Sequence, residues 1–158
     1  MRKFPSDPTV LLTCFSVLGV AALLSAGIAP AFAATISRSA DVKASASAVW
    51  SMIGPFCAIK NWLPPVGECI EDGKAAFVET QTARNDNEHS YSYAFLSSPL
   101  PVSNYKATIK VTANSDGSST ITWSGSFTPD QGKEKAASEA LIGVYEAGLA
   151  EIKARLAK

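Results

Sequence analysis

Hydrophobic residues recur at helical spacing in the last stretch of the chain, residues 133–158. Charged side chains such as Glu139 and Lys153 fall on the opposite side of the same helix. The pattern predicts a long amphipathic helix whose apolar face must be buried against an earlier part of the chain. The apolar stripe consists of Leu141, Val144, Tyr145, Gly148, Leu149, Ile152 and Leu156.

Before this helix the pattern changes to the alternation of apolar and polar positions that is typical of strands. The predicted strands are residues 75–83, 89–95, 105–112 and 119–127, with a further short candidate at 68–71. The last three of these strands are apolar on one side only. That predicts an antiparallel sheet with one exposed face and one face covered by the C-terminal helix.

The segment that precedes the sheet predicts one strand and two short helices. Residues 35–42 alternate as a strand, and residues 44–56 place Val49, Trp50 and Ile53 at helical spacing. Residues 58–63 add one more turn, which the prolines at positions 64 and 65 end. One strand, two short helices, a meander of strands and a long helix together indicate a single α+β domain over residues 34–158.

The first 33 residues have the pattern of a secretory signal peptide. Arg2 and Lys3 precede an apolar run at residues 10–28, and Ala31 and Ala33 occupy the two positions that a signal peptidase recognises. We therefore expect cleavage after Ala33 and a periplasmic or secreted protein. An uncleaved membrane anchor is the alternative, and the Ala-x-Ala site argues against it.

Composition narrows the choice of partners. The chain has 14 basic and 14 acidic side chains, and loss of Arg2, Lys3 and Asp7 with the signal peptide leaves 12 basic and 13 acidic residues. This balance gives no indication of a nucleic-acid-binding surface or of a polybasic membrane surface.

Two cysteines, Cys57 and Cys69, remain after the predicted cleavage. Because an exported protein leaves the reducing cytosol, a disulfide between them is the leading hypothesis. Two free buried thiols, or metal or redox chemistry, are the alternatives. No histidine is close to them in sequence, which makes a metal site a poor fit. No metal or cofactor is predicted.

Five short motifs follow one another along the chain. They are VWSMIGPF at 49–56, WLP at 62–64, SSPLPVSNY at 97–105, TWSG at 122–125 and IGVYEAGL at 142–149. In this order they resemble the exported bacterial members of the SRPBCC superfamily, which are polyketide cyclase/dehydrase and MxaD-like proteins and share the helix-grip fold of START-like and birch-allergen-like proteins. The resemblance implies a curved antiparallel sheet of six to seven strands around the C-terminal helix, with an apolar cavity that carries lipids, hormones or polyketides in some members.

Two features depart from this family. Its members often have a histidine between the tryptophan and the proline of the second motif, where this chain has Leu63. The expected polar group at the mouth of the cavity is therefore missing. The stretch between Cys69 and Tyr91 is also shorter than expected by about one strand or hairpin, which leaves both the strand number and the size of a ligand open.

Several residues are candidates for lining the cavity. The inward-facing aromatic side chains are either plain core or cavity lining. Glu79 is the acidic candidate, although its facing is not fixed by the pattern. His89 is the chain's single histidine, either a general acid or base or a partly exposed turn residue. The aromatic candidates are Trp62, Tyr91, Tyr93, Phe95, Tyr105, Trp123 and Tyr145.

Three classes of function remain open. The first is a binding or carrier protein for a small apolar or aromatic molecule. The second is an accessory protein for an exported partner, which would show an exposed apolar patch and a cavity too small for a ligand. The third is an enzyme of the cyclase or dehydratase kind, which needs a polar dyad such as His89 with Tyr91. Gly148 indicates either room for a ligand or tight packing of the helix.

Overall fold

A computed structural model describes residues 32–63 and 77–157. The predicted signal peptide before residue 32, the strand candidate at 68–71 and Cys69 lie outside these residues. The elements are β1 (Ala34–Val42), α1 (Ala46–Ile53), a 3-10 turn (Phe56–Ala58), α2 (Ile59–Trp62), β2 (Val78–Asn85), β3 (Ser90–Ser97), β4 (Val102–Ala113), β5 (Ser119–Pro129) and α3 (Glu134–Leu156).

The strands form one antiparallel sheet in the order β1-β5-β4-β3-β2. Helix α3 packs across the face of β1 and β5 and buries the predicted stripe, with Val144 and Leu156 only half-buried. The α+β helix-grip architecture is therefore confirmed. The described residues contain five strands, and the candidate at 68–71, which would be a sixth, lies outside them, so the predicted count of six to seven stays a prediction.

The ends of two elements differ from the predicted ones for local reasons. Helix α1 starts later than predicted because the Ser45 hydroxyl accepts a hydrogen bond from the backbone N–H of Ala48 at 3.3 Å, which caps the helix. It stops at Gly54 because Pro55 follows. Strand β3 starts at Ser90 and not at His89, because His89 adopts a left-handed backbone (φ 47°) in the turn before it.

The covered face of the sheet meets α3 at Gly148. A Cβ atom built on this glycine would lie 2.7 Å from Cζ3 of Trp123 and 2.9 Å from Cδ1 of Leu63. Both separations are too short for carbon atoms in contact, so the indole of Trp123 occupies the space that a side chain would need. Of the two explanations for this glycine, tight packing of the helix is the correct one.

A cluster of polar and aromatic side chains joins α1 to the turn between β2 and β3. The indole Nε1 of Trp50 donates to Asp86 at 2.9 Å, and Arg84 pairs with the same carboxylate at 2.6 Å. The Arg84 guanidinium lies 5.0 Å from the centre of the Trp50 ring. Hydrogen bonds from Arg84 and then Trp50 lower the pKa of Asp86. This end of the domain is thereby closed.

Candidate functional site

The site lies at the other end of the β2–β3 pair, where residues of β2, β3 and α3 line a common space. Strand β2 has irregular pairing with β3 on both sides of Glu79, between Val78 and Glu79 and again between Gln81 and Ala83. Such bulges bend a strand and redirect its side chains. Between these bulges Glu79 lies opposite Phe95. The carboxyl group of Glu79 lies among aromatic side chains of the covered face.

A second irregularity positions Tyr105. The pairing of β4 with β5 shifts between Ser103 and Lys106, and Asn104 has a left-handed backbone with φ 54°. Asparagine tolerates this conformation better than most residues. The ring of Tyr105 stacks on Phe95 with centroids 3.8 Å apart and planes 15° from parallel.

Three tyrosine hydroxyl groups and one indole form a buried chain of hydrogen bonds. Nε1 of Trp123 donates to the hydroxyl of Tyr93 at 3.0 Å, which lies 3.3 Å from the hydroxyl of Tyr105. The hydroxyl of Tyr105 lies 2.7 Å from that of Tyr145. The chain links β5, β3, β4 and α3, so it fixes the helix relative to three strands of the sheet.

Gly125 makes room for the end of this chain. Its missing side chain leaves the space in which the Tyr145 hydroxyl lies, because a Cβ atom there would collide with that oxygen. The Tyr145 ring is stacked on Trp123 at a centroid distance of 4.4 Å and an angle of 9°. The TWSG motif therefore supplies both the stacking partner and the gap that Tyr145 requires.

A small cavity lies beside this chain. Its volume is about 10 Å³, which is the space that one water molecule needs. Glu79 is the only charged side chain among its lining residues, and the rest of the lining is aromatic or aliphatic. The lining consists of Leu63, Phe77, Glu79, Tyr93, Phe95, Tyr105, Trp123, Leu141 and Val144.

The electrostatics of the cavity are set by burial. Desolvation raises the pKa of Glu79 from its usual 4.5 to about 7. Within residues 32–63 and 77–157, no ion pair reaches its carboxylate. Burial also raises the pKa of Tyr105 to about 12 and the pKa values of Tyr93 and Tyr145 well above their usual 10. The phenols stay neutral while Glu79 titrates.

The structure divides the predicted site residues into two groups. Glu79, Tyr93, Phe95, Tyr105 and Trp123 line the cavity. The remaining candidates are placed around it: Tyr145 is joined through Tyr105, Trp62 packs edge-on against Trp123 at 5.9 Å, and Tyr91 and His89 contact Trp50 near the closed end of the domain.

Sequence reasoning did not propose four of the lining residues. In the sequence, Leu63 stands out only as a departure from the family, and Leu141 and Val144 only as parts of the helix stripe. Phe77 carried a usable signal, because it precedes Glu79 by two positions and successive side chains of an extended segment alternate between faces. Its ring lies 5.4 Å from that of Phe95.

Two buried polar atoms near this region have no hydrogen-bond partner in the part of the chain that the structure describes. They are Nε1 of Trp62 and the hydroxyl oxygen of Tyr91, and both residues are almost completely buried. A buried polar group without a partner costs about 1 to 3 kcal/mol. Each is therefore a group that a bound molecule or a residue outside the described ranges can satisfy.

The described residues give no sign of a metal centre or of a membrane-spanning helix. Across the described ranges, no cluster of three or more histidine, cysteine, aspartate or glutamate residues is arranged to hold a metal ion. Among those same residues, no helix has both the length and the apolar character needed to cross a membrane. Cys57 is exposed, and its predicted partner Cys69 is not described, so the disulfide stays a prediction.

An antiparallel sheet that wraps a C-terminal helix and leaves a small cavity between them defines a helix-grip domain. The family model described as "Polyketide cyclase / dehydrase and lipid transport" matches residues 33–157, and the chain belongs to this family, within the SRPBCC superfamily. A comparison with curated proteins gave no match.

Solved structures share the fold. The protein XoxI from Bacillus cereus is 28% identical, with a TM-score of 0.71 over 79% of this chain and 96% of that chain. An uncharacterized protein from Bacillus thuringiensis is 29% identical, with a TM-score of 0.71 over 79% of this chain and 100% of that chain. Norcoclaurine synthase from Thalictrum flavum is 18% identical, with a TM-score of 0.61 over 79% of this chain and 94% of that chain. At this low identity the likeness shows a shared fold alone.

Proposed function

We propose that the protein binds a small aromatic or apolar molecule through one polar head group that enters the cavity beside Glu79. The observation that carries this proposal is a carboxyl group held among aromatic rings without an ion-pair partner in the described residues. Such a group destabilises the fold, and perturbed ionisable groups of this kind are concentrated at functional sites. A binding role gives the carboxyl group a partner.

The volume of the cavity limits what enters it. Ligand pockets that enclose a drug-sized molecule measure roughly 300 to 1,000 Å³, whereas this cavity measures about 10 Å³. A head group the size of a water molecule fits, and a sterol ring system does not. The larger part of the ligand must therefore displace lining side chains such as Phe77, or lie outside the cavity against them.

The comparisons support a small-molecule role without naming a ligand. The family description includes both cyclase or dehydrase activity and lipid transport. The norcoclaurine synthase structure is a complex with a transition-state analogue, so a protein of this fold accommodates a small molecule.

Binding can be tested with a variant that fills the cavity. Val144 lines the cavity from α3 and is half-buried, so the ring of Val144→Phe should fill the cavity and extend into the solvent beside it, at an overpacking cost of about 1 to 3 kcal/mol. Ile142→Phe is the matched control, because Ile142 is also half-buried on α3 but does not line the cavity. Native mass spectrometry of gently purified protein and quenching of tryptophan fluorescence by small aromatic and apolar molecules provide the measurements.

We expect wild type and Ile142→Phe to bind the same panel members and Val144→Phe to bind none, while all three proteins stay folded. The proposal fails if no panel member quenches and no small molecule co-purifies. It also fails if Val144→Phe binds as tightly as wild type.

One observation favours an enzyme as the second candidate. A pKa of about 7 for Glu79 is suitable for a general acid or base at neutral pH. Tyr105 lines the same cavity and can donate or accept a hydrogen bond. His89, the catalytic alternative suggested by the sequence, is in the turn against Trp50 and does not line this cavity. Chemical change of a bound molecule that Glu79→Gln abolishes would favour catalysis over simple binding.

The accessory role has one of its two expected features, because a cavity of about 10 Å³ is too small to enclose a whole ligand, but it lacks the other. In the described part of the chain, the exposed large apolar side chains are Phe32 and Leu96. Phe32 precedes β1, and Leu96 is on β3, with β5 and β4 between those two strands. They do not provide the contiguous apolar patch that an interface with a partner protein requires.

Export is part of the proposal. The family match begins at residue 33 and β1 begins at Ala34, so cleavage after Ala33 would release the complete domain. Intact-mass measurement on the periplasmic fraction should give a chain that starts at Ala34. Recovery of only the full-length species in the membrane fraction would contradict both cleavage and release.

A further inference from the structure

The rings around Glu79 form an aromatic enclosure. Phe77, Phe95, Tyr93, Tyr105 and Trp123 all line the same small cavity as its carboxyl group. The faces of aromatic rings carry partial negative charge and attract cations, and enclosures of aromatic rings are used to bind ammonium groups. A carboxylate inside such an enclosure carries a full negative charge and therefore strengthens the attraction of the site for cations.

Glu79 has no cationic partner in residues 32–63 and 77–157. The five ion pairs found there all lie elsewhere on the surface. The closest lysine in β4 is Lys106, which follows Tyr105 directly. Because successive side chains of a strand alternate between faces, Lys106 is on the opposite, exposed face of the sheet, where it lines an open groove.

The phenol hydroxyls do not offer a site for an anion. The indole N–H of Trp123 can only donate, so the oxygen of Tyr93 accepts that bond. The proton of Tyr93 is then available to Tyr105, and that of Tyr105 to Tyr145. These donors are engaged with one another. The Tyr145 hydroxyl at the end of this chain does not line the cavity, so an anionic head group would meet an acidic side chain and only the hydroxyl donors of Tyr93 and Tyr105, which are already engaged.

We propose that the ligand of this cavity is an organic amine, whose protonated nitrogen pairs with the Glu79 carboxylate inside the ring of aromatic side chains. An ammonium group is close to a water molecule in size and therefore fits the cavity of about 10 Å³. The apolar remainder of the amine packs against Leu63 and Phe77 at the cavity wall. This inference rests on the proposed function and specifies the chemical class of its ligand.

Three probes of one shape separate the classes of head group. They are 2-phenylethylamine as the cation, 2-phenylethanol as the neutral analogue and phenylacetate as the anion, titrated into the purified protein by calorimetry and by tryptophan fluorescence. At pH 8 we expect the amine to bind at least 10-fold more tightly than the alcohol, and the anion not to bind. Tighter binding of the alcohol or of the anion would overturn the inference while leaving the proposed function intact.

The pH dependence gives an independent measurement. The titratable groups whose pKa values respond to the charge of Glu79 are the phenols of Tyr91 and Tyr93 on β3, Tyr105 on β4 and Tyr145 on α3, and burial is the larger cause that raises the pKa of each. Only Glu79 among them titrates between pH 5.5 and 8.5, where the amine stays protonated. Affinity for the amine should rise roughly 30-fold over this range as the carboxyl ionises, and affinity for the alcohol should not change.

The variant Glu79→Gln removes the charge and keeps the shape of the side chain. We expect it to lose both the preference for the amine and the pH dependence while still binding the alcohol. Glu139→Gln is the control, because Glu139 is an exposed carboxylate on α3 with the same formal charge. If the amine preference survives in Glu79→Gln, the inference is wrong. If none of the three probes binds to wild type although members of the aromatic and apolar panel do, the inference is wrong and the proposed function stands.

Discussion

The raised pKa of Glu79 makes a quantitative prediction about stability. The folded protein holds this proton up to about pH 7, whereas the unfolded chain releases it near 4.5. Between these values the folded state binds more protons, so the free energy of unfolding decreases as the pH rises. The difference between the two pKa values corresponds to about 3 kcal/mol. This cost is absent below pH 4.5 and complete above pH 7.

Glu79→Gln should remove this cost because the amide does not ionise. We expect the variant and wild type to differ by a constant amount near pH 4, and the variant to gain about 3 kcal/mol relative to wild type by pH 8. For a domain of this size the gain corresponds to a rise in melting temperature of roughly 6 to 12 °C. Other titrating groups cancel, because only the difference between the two proteins is used.

Urea unfolding at a series of pH values between 4 and 8 measures the effect directly. Glu139→Gln serves as the control, since its carboxylate is exposed and its difference from wild type should stay nearly constant with pH. A flat difference curve for Glu79→Gln would show that the carboxyl is not desolvated in the folded protein. The reasoning about the cavity would then lose its electrostatic basis.

Two further predictions concern packing and the disulfide. Gly148→Ala should lower the stability by about 1 to 3 kcal/mol, because the added methyl group meets the ring of Trp123. Gly143→Ala should instead raise the stability by up to about 1 kcal/mol, because nothing lies within 4 Å of that Cβ position. Equal melting temperatures for the two variants would contradict this account. A bridge between Cys57 and Cys69 should contribute on the order of 3 kcal/mol, so reduction should lower the melting temperature, and two titratable thiols in the oxidised folded protein would refute it.

The sequence predicted the fold well because its two periodicities are strong. The helix stripe and the alternation in β3, β4 and β5 are dictated by the burial of one face, and α3 buries the residues that the stripe predicted. The error at His89 arose because alternation continues through this residue. Its backbone nevertheless belongs to the turn, and periodicity does not detect a left-handed backbone.

The site was predictable only in part. The aromatic candidates were identifiable as a set, but alternation does not distinguish a ring that lines a cavity from one that fills the core. The facing of Glu79 was ambiguous for a different reason. No residue of β2 from Glu79 to Asn85 is fully buried, so the strand has no alternation of buried and exposed positions that would show which face each side chain occupies. The facing of Glu79 depends on two bulges, which result from pairing with β3 and not from local sequence.

The position of Glu79 is also an argument about function. A glutamine or a leucine there would avoid the desolvation that raises the carboxyl pKa to about 7, and would give a more stable domain at neutral pH. Residues that lower stability are retained mainly where activity requires them. In the same cavity the polar atoms of Trp123, Tyr93 and Tyr105 form hydrogen bonds with one another. These residues therefore pack without the desolvation cost that Glu79 carries. Among the residues that line the cavity, the conflict is confined to the carboxyl group, which supports the proposal that a ligand uses its negative charge.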